Sequence, residues 1–158
     1  MNSVKIFHIA DAHLDAPFTS LPPWEADSAR LSLKSAFAAA VLAAKNRGVQ
    51  LFFISGDLFD GVYVTPDTKE FVCDKIASFP ECKFFIAPGN HDPYDANSHY
   101  KRMKLPENAY VFGNKERVCI DELGVDVYGF GFGAQAEEQS PITGYPALNP
   151  DRINILVC

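Results

Sequence analysis

Three short runs carry the residue types that could do chemistry: Asp11-Ala12-His13, Gly56-Asp57-Leu58-Phe59-Asp60 and Gly89-Asn90-His91-Asp92. Each directly follows an apolar, strand-like run. A lone Asp-x-His is more often a turn or a cap than a site, and a glycine before an aspartate is a common turn. Three polar clusters in the same relation to three strands are poorly explained as turns. Carboxylate, imidazole and amide carbonyl together suit a hard-to-intermediate divalent cation such as Mn2+, Fe2+ or Zn2+. Two such ions about 3.5–4 Å apart clamp a phosphoryl group and lower the pKa of a bound water. A carboxylate shared between them offsets their repulsion. Glycines let the backbone turn sharply enough for neighbouring side chains to converge.

The elements that must position these clusters follow an α/β grammar. Residues 4–10 are nearly continuously apolar, which suits a strand covered on both faces. A loop with Pro17, Pro22 and Pro23 follows, and Asp27 is the expected N-cap of a helix. Leu33, Phe37, Ala40, Val41 and Ala44 recur there at helical spacing, and Lys45, Arg47 and Gly48 suit its C-terminal end. Residues 49–55 read as a second strand. Thr65-Pro66 reads as an N-cap and first helical position; Phe71, Val72, Ile76 and Phe79 form that helix's apolar side, and Pro80 ends it. Residues 82–87 are a third strand, stopped by Pro88-Gly89. Alternating strands and helices predict an α/β sheet with its sites beyond the carboxyl ends of the strands. From about residue 110, short strand-like runs at 110–112, 117–120 and 125–130 predict a hairpin or meander. Residues 133–150 read as a loop, and 153–157 as a buried-type strand.

With 158 residues, 47% hydrophobic and 22% charged, the chain fits one globular domain rather than a disordered segment. A net charge of −6 excludes a protein that coats nucleic acid, but not a nuclease whose metal ions face the phosphate. No apolar stretch has membrane-spanning length, and the N-terminus lacks a signal-peptide layout, so a cytoplasmic location without membrane association is expected. Cys73, Cys82, Cys119 and Cys158 form no C-x-x-C pair, which disfavours a zinc ribbon and predicts reduced, mostly buried thiols. His8 reads as structural and His99 as exposed. Asp15 and Asp92 either orient ligands and loop backbone or cap turns. Lys101-Arg102-Lys104 is either a surface turn or a phosphate contact.

In their order and separation the three clusters resemble the calcineurin-like metallophosphoesterase superfamily, over nearly all of residues 4–92. The phrase Ile9-Ala10-Asp11-Ala12-His13-Leu14-Asp15-Ala16-Pro17-Phe18, with the later Val127-Tyr128-Gly129-Phe130, is similar to its DNA-repair exonuclease branch, the SbcD-type nuclease subunits. The resemblance implies an α/β fold, a layered β-sandwich flanked by helices. It implies two divalent metal ions, Mn2+ first, with Mg2+, Fe2+ or Zn2+ as alternatives. Asp11 and His13 would hold one metal, Asp57 would bridge both, and Asn90 would hold the second. His91 would protonate the leaving oxygen, and Asp60 would hydrogen-bond His91 and fix its orientation.

A DNA substrate and an SMC-like ATPase subunit as partner are implied in the same way. Two other readings stay open: a phosphoesterase of small nucleotides, lipids or phosphoproteins, and a non-catalytic scaffold of the same fold. Protein phosphatases of the superfamily usually continue the second motif with an arginine, whereas Gly61-Val62-Tyr63 follows Asp60. The family pattern also continues with a histidine after a later strand and a Gly-His-x-His, neither present in these residues. Residues 1–158 are therefore expected to be the N-terminal portion of a nuclease domain, truncated before its later ligands and weakly active or inactive alone. The apolar last strand is expected to invite self-association as a homodimer.

Overall fold

A computed structural model describes residues 3–61, 63–136, 138, 140, 142–145 and 148–158. Four strands, Ile6–Ala10 (β1), Leu51–Ser55 (β2), Lys83–Ala87 (β3) and Ala109–Val111 (β4), form one parallel sheet in that spatial order. Helix Pro23–Asn46 (α1) joins β1 to β2, and helix Pro66–Ala77 (α2) joins β2 to β3. Strands Glu116–Ile120 (β5), Val125–Gly129 (β6) and Ile153–Val157 (β7) make a second sheet, with β5 antiparallel and β7 parallel to the central β6.

Side-chain alternation along β2 and β3 builds the layers. Phe52, Ile54, Phe84 and Ile86 face the helices, where they meet Phe37, Val41, Ala44, Val72 and Ile76. Leu51, Phe53, Phe85 and Ala87 face the second sheet, where they meet Ile120, Val125, Val127 and Val157. The aromatic rings follow the strand register. Phe7, Phe52 and Phe84 are lateral partners, with ring centroids 5.1 and 4.8 Å apart along that row. The fold is thus α/β, a parallel sheet with helices on one face and a second sheet on the other.

Three sequence expectations need correction. Helix α1 begins at Pro23, with Pro22 as its cap residue and no side-chain cap, whereas Asp27 lies within the helix and pairs with Arg30. Proline at the first helical position supplies a preset φ without needing a hydrogen-bonding cap. The run at 110–112 does not join the later meander: β4 pairs with β3 in the first sheet, and only β5 and β6 form a hairpin. Strand β1 is covered on one face only. Phe7 and Ile9 pack toward the helices, but Ile6, His8 and Ala10 are exposed, because β1 is an edge strand and the second sheet packs over β2 and β3. His8 is accordingly a surface residue. Thr65 caps α2 as expected, its hydroxyl accepting from the N–H of Thr68, with Pro66 at the first helical position.

Candidate metal centre

Parallel pairing in level register makes the site. Ala10, Ser55 and Ala87, the last residues of β1, β2 and β3, are lateral neighbours, so the three polar clusters leave the sheet side by side. The ladder then continues beyond the strands. Asp11 N–H donates to Gly56 O at 3.2 Å, His13 N–H to Asp57 O at 2.9 Å, and Leu14 N–H to Leu58 O at 2.9 Å; Asp60 N–H donates back to Leu14 O at 3.0 Å. Leu14, Leu58 and Phe59 are fully buried beneath these turns. Burial of these apolar residues therefore anchors the loops, and the intervening polar side chains project from a fixed base.

The turns require unusual backbone. Asp11, His13, Asp15 and Asp57 all have positive φ, at 51°, 44°, 65° and 49°. Aspartate and histidine occupy this region more readily than most non-glycine residues, though still at some cost. Gly89 is required for a different reason. A Cβ on it would lie 2.2 Å from Asp57 Oδ1, so the β3 loop can pass the carboxylate only as glycine.

Two overlapping groups of side chains result. Ligand atoms of Asp11, His13 and Asp57 lie within 4.8 Å of one another, as do those of His13, Asp60 and His91. Asp57 is buried, and its Oδ1 accepts the N–H of His91 at 2.9 Å. Its Oδ2 lies 3.9 Å from His13 Nε2. Asp60 Oδ1 is 2.6 Å from His91 Nδ1 and 3.4 Å from His13 Nδ1. The two imidazoles meet edge to face at 4.9 Å. Asn90 is exposed at the same sheet edge, directly before His91. Among the described residues no lysine or arginine pairs with Asp11, Asp57 or Asp60; the imidazoles of His13 and His91 lie within 4 Å of Asp57 or Asp60. Carboxylates and imidazoles gathered without a lysine or arginine suit a divalent cation.

Two further carboxylates brace the loops. Asp92, 2% exposed, accepts from Gly89 N–H at 2.8 Å, Phe59 N–H at 3.1 Å and Tyr100 Oη at 2.5 Å, tying the second loop to the third. Burial pushes its carboxyl up, and these three donors offset only part of that effect. Asp15 reaches across to the start of α2. It accepts from Thr65 N–H at 2.8 Å, Thr65 Oγ1 at 2.9 Å and Thr68 Oγ1 at 2.7 Å, adding negative charge at a helix N-terminus. Burial opposes its ionisation, but those hydrogen bonds and the nearby Lys34 charge outweigh it and hold the carboxyl below its usual range.

Asp15→Ala should therefore destabilise the fold by about 1–2 kcal/mol, kept low by the half-exposed position. Because the folded-state pKa is depressed, this stabilisation is complete above the unfolded aspartate value of about 3.9 and is lost as pH falls through the folded one. Thermal melts of wild type and variant should differ at pH 7, and the gap should narrow as pH falls below about 4, down to the strain of alanine at a φ of 65°. A gap that stays constant with pH would rule out the carboxylate as its source.

Motif reading missed several contributors. The hydrogen bond of Asp60 to His91 is the expected one, but its second contact, with His13, depends on rotamers that spacing does not encode. His99 is half-buried, not exposed, with Nε2 3.1 Å from Gly61 O. Asp126 is fully buried on the outer side of β6, 2.7 Å from Arg117 Nη2 and 2.8 Å from Arg152 Nε. Of the four free cysteines, only Cys82 is buried, while Cys119 and Cys158 are exposed. No helix among the described residues is long and apolar enough to cross a membrane.

Residues 4–143 match a family model described as calcineurin-like phosphoesterase. No curated protein matches the chain significantly.

Proposed function

Because the chain belongs to the calcineurin-like phosphoesterases, hydrolases of phosphoesters that use divalent metals, we propose that it cleaves phosphodiester bonds of DNA. The observation that carries the chemistry is the convergence of Asp11, His13 and Asp57 within 4.8 Å, with the Asp60–His91 pair beside them. The donor set fits divalent ions: oxygen and imidazole ligands, no lysine or arginine paired with them among the described residues, and a glycine where any side chain would displace Asp57.

Asp11 and His13 would hold a first ion, Asp57 would serve both, and Asn90 would offer its side-chain oxygen to a second. Asp57 Oδ1 accepts the His91 N–H, and Oδ2 lies 3.9 Å from His13 Nε2. When bound, the ions supply positive charge to the phosphoryl oxygens and lower the pKa of the attacking water. His91 is anchored to Asp60 through Nδ1, which leaves Nε2 to face the substrate and donate a proton to the leaving oxygen. Asp60 thus positions His91.

Residues 9–18, 56–60 and 127–130 are similar to the DNA-repair exonuclease branch, and glycine rather than arginine after Asp60 argues against a protein phosphatase. On this reading Mn2+ is the working metal, and an SMC-like ATPase subunit is the partner. Incubating the intact protein and Mn2+ with end-labelled oligodeoxynucleotides, bis(p-nitrophenyl) phosphate, cyclic nucleotides and phosphopeptides tests it. Shortening of the oligonucleotides is expected. Rapid hydrolysis of small esters or phosphopeptides with DNA left intact would overturn the nuclease reading while retaining the phosphoesterase.

A further inference from the structure

An open groove of about 590 Å³ lies between α1 and the start of α2. It adjoins the candidate metal centre. Asp15 lines it two residues after His13, and Tyr63 lines it three residues after Asp60. Fully extended chain covers only about 7 and 11 Å over those steps, so a polymeric substrate held at the metals extends directly into the groove. The walls hold apolar side chains in water. Tyr63 is 89% exposed and Leu31 65%. Trp24, 71% exposed, shares one face of α1 with Asp27 and Leu31, at i, i+3 and i+7. Single exposed apolar residues need no explanation, but three around one groove, two of them aromatic, mark a binding surface. Most of the polar groups are already engaged. Asp15 accepts from Thr65 and Thr68, and Asp27 pairs with Arg30. Lys34, in no salt bridge among the described residues, adds positive charge at the wall. Asp67, exposed in the first turn of α2, disfavours a phosphate deep in the groove.

We propose that this groove takes a single-stranded stretch of DNA flanking the scissile phosphate, with one base stacked on Tyr63 and a neighbour reaching Trp24. The assignment rests on the nuclease reading above and deepens it by naming the strand state of the substrate. A base inside a duplex has both faces covered by its neighbours. An unpaired base has a face to offer, and every base offers the same kind of flat π surface, so stacking selects single strands without selecting sequence. Bases therefore enter the groove, and the phosphates stay on its solvent side, where Lys34 offsets part of their charge.

The test reads binding rather than turnover. Affinity for a labelled single-stranded oligothymidylate is measured by fluorescence anisotropy with Mn2+, in a His91→Ala background that spares the oligonucleotide. Tyr63→Ala should weaken binding roughly 5- to 150-fold, the worth of one stacked base. Tyr63→Phe keeps the ring and should bind as before. At 89% exposure, neither change puts folding at risk. The single strand should also quench tryptophan emission, and Trp24→Phe should remove that quench. A blunt duplex of equal length should bind with an affinity that Tyr63→Ala does not alter. Undiminished single-strand affinity in Tyr63→Ala, or an equal loss for single strand and duplex, would overturn the groove. So would a Tyr63→Ala chain whose only change is from dimer to monomer on size exclusion, which would make this face a contact between copies. If the chain with Tyr63 in place binds no DNA, the nuclease reading falls as well; if it binds and Tyr63→Ala has no effect, only the groove falls.

Discussion

In the intact protein, replacing Asp57 by asparagine is expected to abolish hydrolysis and most metal binding while leaving the fold intact. The substitution is a clean one for structural reasons. Asparagine tolerates the left-handed backbone at this position, where φ is 49°. Its side-chain oxygen can still accept the His91 N–H that Asp57 Oδ1 accepts at 2.9 Å. What disappears is the negative charge, and with it the compensation for two cations held close together. Changing residues that merely orient metal ligands costs about 10–100-fold in affinity, so losing a shared ligand should cost more than roughly 100-fold. Calorimetric titration with Mn2+, alongside a thermal melt, measures both quantities. Two sites of undiminished affinity in the variant would remove Asp57 from the bridging role.

His91→Ala should slow turnover by roughly 10²- to 10⁴-fold, the usual worth of a general acid, with metal affinity little changed. The imidazole is half-exposed and tied to Asp60 through Nδ1, so its other nitrogen is available to substrate. Asp60→Ala should lose less, and the double variant should lose less than the product of the two, since the pair works as a unit. Asp60 also lies 3.4 Å from His13 Nδ1. Its removal should therefore loosen a metal ligand as well, and Asp60→Ala is expected to raise the Mn2+ concentration needed for half-maximal rate. His91→Ala should leave that concentration unaltered. If the His91 variant instead fails to bind Mn2+ in a direct titration, His91 is a ligand and the proton-donor role falls.

The first sheet was legible because its signals coincide: each apolar run ends where a polar cluster begins, and level register brings those ends together. Strand β4 was misjudged because its three residues carry too little pattern to choose between a parallel neighbour 25 positions earlier and an antiparallel one just ahead. The exposed face of β1 was misjudged for a related reason. Ile6 and Ala10 are apolar whether or not a second layer reaches them, so composition does not reveal that β1 is an edge. Within the site, the Asp60–His91 pair was legible through the family resemblance, but the longer-range couplings were not. Asp15 meets Thr65 and Thr68 across about fifty positions, and only the folded chain makes that a cap. Asp126, between Val125 and Val127 on the outward side of its strand, has the pattern of a solvated residue. Arg117 and Arg152 close over it.

The left-handed backbone at His13 has a consequence for how this protein could change. A non-glycine residue there spends conformational energy that glycine would not, an amount on the order of 1 kcal/mol. Leu14, one position on, is fully buried and gains from staying as it is. A screen that rewards heat resistance and ignores turnover would therefore be drawn to replace position 13 with glycine and to preserve position 14. Such a screen would accumulate sturdy, inert proteins, and the histidine would be among the first residues lost once selection for catalysis is relaxed.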